Sequence, residues 1–432
     1  MVMPVIGLIV TLAILIFLLY KGISPILVAP LCSVVLAAFS GLDVLSVITN
    51  DFSAGFGGMV VNIGLMLIGS TLFGEVMSRA GATESIAIWI SDHLDVKRCT
   101  WALVISSTIM SYGGMAFGAY MVLYPVGMIL CKKANYNKGI IMGTVLGGSW
   151  TYAMTGPGAP TVGNVVPANV FGTGTAAGLV PGLVASVFIF IAINFYLDWQ
   201  ARTWEKKGRG FQSEEDMANI QLSDREKLPN IIQAIFPIIV CLVLFNLVKI
   251  AIGPCLFISS FVACLTMYKQ KSLVEWVNVL SDGAKAGMLP VGNLGIIGGF
   301  SAVMRLTPIF TLLAGFASTS TMNPYLLSAL LGSLFAFFLG SSSNAVGMMM
   351  GSIPEVFLSY GARGFSMGSV HRMLAMGSGG ASIMPHAGSM ATMNVLLHTN
   401  FKESYFPVFI SCVVIPLFAT YAICLPLCIM GL

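Results

Sequence analysis

The sequence predicts an all-α polytopic membrane protein made of two inverted repeats, each with about five crossings, one re-entrant hairpin and one unwound helix. Three observations carry that prediction. Only 9% of the 432 residues are charged, where a soluble domain carries roughly a quarter, so water-facing charge cannot coat this chain. Apolar runs long enough to cross a bilayer, about 20 residues each, recur from one end to the other. The two halves of the chain also match each other at a nearly constant offset.

Taken in order, the first half opens with apolar runs at residues 4–20, 23–40 and 58–77. The first run lacks a basic n-region and a small-residue cleavage site, which predicts a retained helix rather than a signal peptide. Residues 100–131 form an apolar stretch broken at 111–114, with Lys97, Arg98, Lys132 and Lys133 at its two ends. Cations at both ends predict a hairpin that enters and leaves on one side. Residues 138–171 read as a crossing that unwinds at 155–160, where Gly156, Pro157, Gly158 and Pro160 cluster. A further crossing covers 174–197. The polar stretch that follows divides the chain into a first membrane repeat at 1–198, a cytoplasmic linker at 199–229 and a second repeat at 230–432.

The second half repeats the plan. A run at 230–252 is followed by a hairpin at 326–358 broken at 340–344, a crossing at 366–398 broken at 379–386, and a final run at 404–428. Lys21 pairs with Lys249, Pro25 with Pro254, Gly69 with Gly298, Gly118 with Gly347, Pro125 with Pro354, Gly148 with Gly377, and Pro157 with Pro385, all at offsets of 228 or 229. With the N-terminus outside, seventeen of the Lys and Arg residues fall on the cytoplasmic side. Only Lys249, Arg305, Arg363 and Arg372 fall outside. That balance predicts a multi-pass protein of a bacterial-type inner (plasma) membrane with the linker inside. The formal charge of +4 follows this topology and implies no nucleic-acid partner.

Broken helices in lipid survive only where protein or a wet cavity covers the freed backbone groups. Each break also exposes a helix N-terminus with unpaired N–H groups and a positive dipole end. Four such ends near the midplane form an anion site. The candidate substrate-binding residues are therefore Tyr112, Gly113 and Gly114; Thr155, Gly156 and Gly158; Ser341, Ser342, Ser343 and Asn344; and Ser382, His386 and Ser389. Thr161 and Asn164 lie beside them. Hydroxyls and amides of this kind suit a carboxylate on a hydroxylated body. His386 is the proton-coupling candidate, because imidazole titrates near neutral pH.

The remaining ionisable groups read as structural. Glu75 and Arg79 are spaced for an i,i+4 pair, Asp282 and Lys285 read as interfacial, Glu355 as a rim group, and His371 and Arg372 as the outer start of a crossing. Nine cysteines without a CxxC spacing read as small core residues, and no metal or cofactor motif is present.

On these residues the chain resembles the gluconate permease (GntP) family of organic acid:proton symporters, within the ion-transporter superfamily. The resemblance rests on residues 151–185, TYAMTGPGAPTVGNVVPANVFGTGTAAGLVPGLVA, and on residues 384–405, MPHAGSMATMNVLLHTNFKESY. It departs from the family pattern in two places: the first hairpin tip, SYGGMAFGAY, has no acidic residue, and Ala387 stands where Asn is common. The resemblance implies proton-coupled uptake of a sugar acid or short hydroxycarboxylate, elevator-type alternating access against a scaffold of residues 4–40 and 230–268, and a homodimer. The runner-up keeps the fold and couples to sodium through Ser341–Asn344 and the 155–160 break. With no paired catalytic carboxylates and no nucleophile elbow, an intramembrane enzyme is disfavoured, and with nothing like a selectivity filter so is a passive channel.

Overall fold

A computed structural model describes residues 2–21, 23–114, 119–212, 224–308, 315, 319–385, 387, 390 and 401–432. Every regular element among them is helical. Four helices are long and apolar enough to cross a membrane: α3 (Val44–Arg79), α10 (Leu179–Lys206), α13 (Leu273–Arg305) and α18 (Ser404–Ile429). Shorter helices fill in between: α1 (Val2–Tyr20), α2 (Pro25–Phe39), α4 (Ala82–Asp92), α5 (Cys99–Tyr112), α6 (Ala119–Ala134), α7 (Gly139–Ser149), α8 (Tyr152–Thr155), α9 (Val162–Phe171), α11 (Ile231–Asn246), α12 (Ile252–Thr266), α14 (Pro324–Leu339), α15 (Ser342–Ser352), α16 (Pro354–Ala362) and α17 (Met367–Gly380).

Helix boundaries follow local capping. Asp43 accepts from the Leu45 and Ser46 N–H groups (3.1 and 3.3 Å) and starts α3 well before the apolar run that marks it in the sequence. Thr49 folds its hydroxyl back to the Leu45 carbonyl at 2.8 Å, so its polar group is satisfied within the helix and does not end it. Capping boxes at Asn230/Gln233 and Ser272/Glu275 start α11 and α13. Gly172 and Gly178 take positive φ (66° and 58°) and delay α10 to Leu179.

Packing relies on small residues, as expected where lipid removes the hydrophobic drive between helices. At the α3–α13 crossing the two backbones touch: a Cβ on Gly55 would lie 2.5 Å from the Gly298 carbonyl oxygen, and one on Gly298 2.6 Å from that of Gly55. Helix α12 lies along α3, with Leu256 Cβ 2.9 Å from the Cβ position of Gly69. Gly148 and Gly377, paired in the sequence, each sit where a neighbouring backbone closes in: Val104 on α5 and Ala329 on α14. Each also has its carbonyl bonded by a hydroxyl of that neighbour, Thr108 at 3.2 Å and Ser333 at 3.0 Å. Tyr152 and Tyr421 supply hydroxyl partners to those two residues in turn.

Both broken stretches return to where they began. Lys97, ahead of α5, donates to the Ala134 carbonyl at the end of α6 (2.8 Å) and pairs with Glu205 (2.6 Å). Helices α14 and α15 are bent by 120° at Gly340–Ser341. The Ser366 N–H beyond α16 donates to Tyr325 Oη at the start of α14 (3.0 Å). Ion pairs gather near the linker ends, with Arg225 on Asp92 (3.0 Å) and Arg202 on Asp198 (2.9 Å), while Arg305 and Glu355 (2.9 Å) join α13 to α16. Arg79 pairs with Glu75 at 2.8 Å, as its spacing predicts. Exposed pairs of this kind stabilise by about 0–1 kcal/mol each. The nine cysteines are free and, except for half-buried Cys264, buried.

Candidate functional site

The first hairpin tip divides its residues between two directions. Helix α5 ends at Tyr112, and Gly114 takes φ +82° to turn the chain. A Cβ on Gly113 would meet Ile238 of α11 at 3.2 Å, and one on Gly114 would meet Leu256 of α12 at 2.8 Å. The Gly114 carbonyl accepts the Ser70 hydroxyl of α3. Gly113 and Gly114 therefore seat the tip against α3, α11 and α12. Tyr112 reaches the first break instead, its Oη 2.6 Å from the Cβ position of Gly156.

That break is held open by one amide. Asn164, fully buried on α9, donates Nδ2 to the carbonyls of Met154 (3.2 Å), Gly156 (3.0 Å) and Ala159 (3.3 Å). Thr161, at the N-terminus of α9, uses its hydroxyl on Met154 (2.6 Å) rather than on the helix, so it makes no side-chain cap bond. Thr155 donates to the Thr151 carbonyl at 3.1 Å. Gly158 (φ +77°) turns aside, towards Asn246 Oδ1.

The second hairpin tip meets this region. Gly340 (φ +59°) turns the chain, with Ala387 Cα 2.8 Å from its Cβ position. Ser341 caps α15 by accepting from the Asn344 N–H (3.3 Å). Ser342 shares a hydrogen bond with Ser378 of α17 (2.8 Å), and its Oγ lies 3.7 Å from the Cβ position of Gly163. Ser343 and Asn344 are half-buried. Ser382 is buried and donates to the Gly379 carbonyl (2.9 Å), while the Thr155 methyl packs on Gly379 itself. Thus Tyr112, Thr155, Gly156, Ser342 and Ser382 fall around one junction. The Cβ positions of Gly113, Gly114 and Gly158 point away from it, while the Gly158 N–H donates to the Thr175 carbonyl (3.1 Å). His386 and Ser389 lie outside the described residues.

Arg372 corrects the sequence reading. Instead of starting a crossing at the outer surface, it is 0% exposed, as is His371 beside it. Helix α17 is buried from Ser369 to Gly380 because α9, α14, α10 and α18 surround it. The guanidinium uses all five N–H groups: Nε on the Ala177 carbonyl (3.0 Å), Nη1 on Asn164 Oδ1 (2.9 Å) and the Thr155 carbonyl, and Nη2 on the carbonyls of Thr175 (3.0 Å) and Ala177 (2.7 Å). Every acceptor it meets among the described residues is neutral. Burying a cation without a counter-ion is expensive, and here carbonyls left over by the broken helix and by the turn before α10 offset part of that cost. The junction keeps a positive charge. His371 sits on Thr173 (Nδ1 to Oγ1, 2.9 Å) and against the Phe171 ring. Among the described residues, no cluster of three or more His, Cys, Asp or Glu side chains is arranged to hold a metal.

A family model described as GntP family permease matches residues 3–253. Similar proteins include an uncharacterized transporter of Bacillus subtilis, YxjC, 25% identical over 94% of this chain and 95% of that protein. An uncharacterized permease of Haemophilus influenzae is 23% identical over 85% of this chain and 82% of its own length. The Escherichia coli D-serine transporter DsdX is 24% identical over 77% of each chain. Among solved structures, the Alcanivorax borkumensis YdaH transporter matches 90% of this chain and 89% of its own with a TM-score of 0.59. At 14% identity, that likeness is one of fold alone.

Proposed function

This chain belongs to the GntP family of permeases, and from that premise we propose that it is a secondary active transporter importing a small organic acid anion. Its relatives are transporters and permeases and its long helices are of spanning length, so it is a multi-pass membrane protein and not an enzyme. The substrate we assign is a sugar acid or short hydroxycarboxylate, carried by proton symport.

The observation that carries the reading is Arg372, a buried cation without a carboxylate partner among the described residues, at the meeting point of the first break and α17. Its N–H groups are all engaged, so it attracts through its field and leaves the direct contacts to others. At about 6 Å and an effective dielectric of about 20, that attraction amounts to about 3 kcal/mol for one negative charge. The N-termini of α9 and α15, with Ser342 close by, supply donors for the carboxylate. His386 is the proposed proton carrier. The sodium alternative asks more of the first break, where the Met154, Thr155, Gly156 and Ala159 carbonyls already accept from Asn164, Thr161 and Arg372.

The inverted-repeat reading, with repeats at 1–198 and 230–432, draws support from the matching environments of Gly148 and Gly377. An elevator-type movement would carry the broken helices and hairpins as one body, since Ser342–Ser378, Thr155–Gly379 and Arg372 tie them together. The proposed placement is an inner membrane, N-terminus outside and linker inside, with a homodimer formed through the scaffold. D-serine, named for one relative, also combines a carboxylate with a hydroxyl. Purified protein in liposomes tests the function against labelled gluconate, glycerate, 3-hydroxybutyrate, lactate, citrate and D-serine under a pH or a sodium gradient. Uptake of one acid on the pH gradient alone is the expected result. Uptake that requires sodium would transfer the coupling to the alternative, and transport of none of them would end the anion reading.

A further inference from the structure

Helix α10 brings Gly178, Gly182 and Ser186, one turn apart, past the first break. A Cβ on Gly178 would lie 2.6 Å from Arg372 Cβ, and one on Gly182 would lie 2.8 Å from both Arg372 Nε and Pro157 Cγ. Ser186 is the next step along this face. Its Oγ stands 3.1 Å from the Cβ position of Gly156, and Tyr112 Oη stands 2.6 Å from the same point. The Gly156 backbone is thus flanked by two hydroxyls, in the space a side chain would fill.

Ser186 is 6% exposed, and its Oγ is sealed from solvent with no hydrogen-bond partner among the described residues. Serines in apolar helices usually fold back on the carbonyl four residues earlier. Ser106, Ser149, Ser260, Ser301, Ser328 and Ser411 all do so here. Ser186 does not, and an unmade bond at a buried hydroxyl calls for an explanation in a missing water or ligand.

We propose that Ser186, with Tyr112, forms the subsite that reads a hydroxyl group of the transported acid, while the positive charge at Arg372, one turn of α10 away, draws its carboxylate. This rests on the anion-transport reading and adds a specificity determinant to it. The Ser186 hydroxyl can donate to or accept from an alcohol, so the subsite selects a hydroxylated carboxylate over the same acid without the hydroxyl. Gly156 must be glycine in any case, because a Cβ there would collide with the Tyr152 carbonyl oxygen, and such a Cβ would also fill the space between the two hydroxyls.

The test compares uptake by the full-length protein in liposomes for paired acids: lactate against propionate, 3-hydroxybutyrate against butyrate, and glycerate against lactate. The wild-type protein should prefer the more hydroxylated member of at least one pair, and Ser186→Ala should lower that preference by about tenfold, the size of effect expected from losing one hydrogen bond. Tyr112→Phe should lower the same ratio. Ser186→Thr, which keeps the hydroxyl, should retain the preference, which separates loss of the hydroxyl from a packing defect. Transport of these acids with no preference in any pair would overturn the subsite while leaving anion transport standing. An unchanged ratio in Ser186→Ala would assign the buried oxygen to a structural water and would also overturn it. If no acid were transported, the subsite would fall with the reading beneath it.

Discussion

Two crowded regions of this molecule are built from small residues and do opposite things with them. At the α3–α13 crossing, Gly55 and Gly298 let two intact helices touch backbone to backbone. At the junction around Arg372, Gly156, Gly178, Gly182 and Gly379 let broken segments crowd a cation, and the freed carbonyls become its ligands. In the first region the glycines serve contact area, and in the second they serve polar geometry. The difference teaches that a glycine cluster acquires function from where its backbone groups find partners.

The largest effect expected from breaking this contrast is at Arg372. Arg372→Ala takes the guanidinium donors from the Thr155 and Ala177 carbonyls and from Asn164 Oδ1, each worth about 1–3 kcal/mol when buried, while Thr175 keeps the Gly158 N–H (3.1 Å), and the change should abolish both uptake and stable purification. Arg372→Lys keeps a charge but loses the planar fork, and should retain folded protein with uptake reduced by about 100-fold. Next comes Asn164→Ala, which removes the clamp across the break and one Arg372 acceptor. It should lower uptake at least tenfold and thermal stability by about 1–3 kcal/mol. Gly298→Ala presses a methyl onto Met59 and Gly55, and should destabilise by about 1–3 kcal/mol in a detergent melt while leaving KM unchanged in the protein that folds. The smallest effect is at Lys97→Ala, a half-exposed pair with Glu205, where the change should fall within about 1 kcal/mol and transport should persist. A Gly298 variant with altered substrate preference, or an Asn164 variant with normal uptake, would dissolve the contrast.

Much of this arrangement was legible in the sequence. Prolines and glycines place the expected breaks at 155–160 and 379–386, and the cations around 100–131 predict that the first hairpin returns to its start, as the Lys97–Ala134 contact has it. Other features depend on tertiary packing. Arg372 reads as a surface residue because it lies early in its helix, and only the packing of α9, α10, α14 and α18 around that helix buries it. A charged residue inside a Gly-, Ser- and Met-rich helix was the available signal. Gly113 and Gly114 look like ligand-facing turn residues, yet their contacts are with Ile238 and Leu256 from the other half of the chain, which no local pattern encodes. Ser186 sits in an unbroken apolar run and carries no mark until Gly156 and Tyr112 are placed beside it. The apolar run at 58–77 does not reach the early start of α3, because the helix capped at Asp43 begins with a stretch that includes polar Asn50 and Asp51.

The central claim is that the junction recognises negative charge. It is tested most directly by competition in liposomes: uptake of a labelled acid measured against an excess of the same unlabelled acid and against its uncharged amide, lactate against lactamide for example. The account predicts that the acid competes and the amide does not. Equal competition by the amide would mean that the site reads shape without charge, and the role assigned to Arg372 would be wrong.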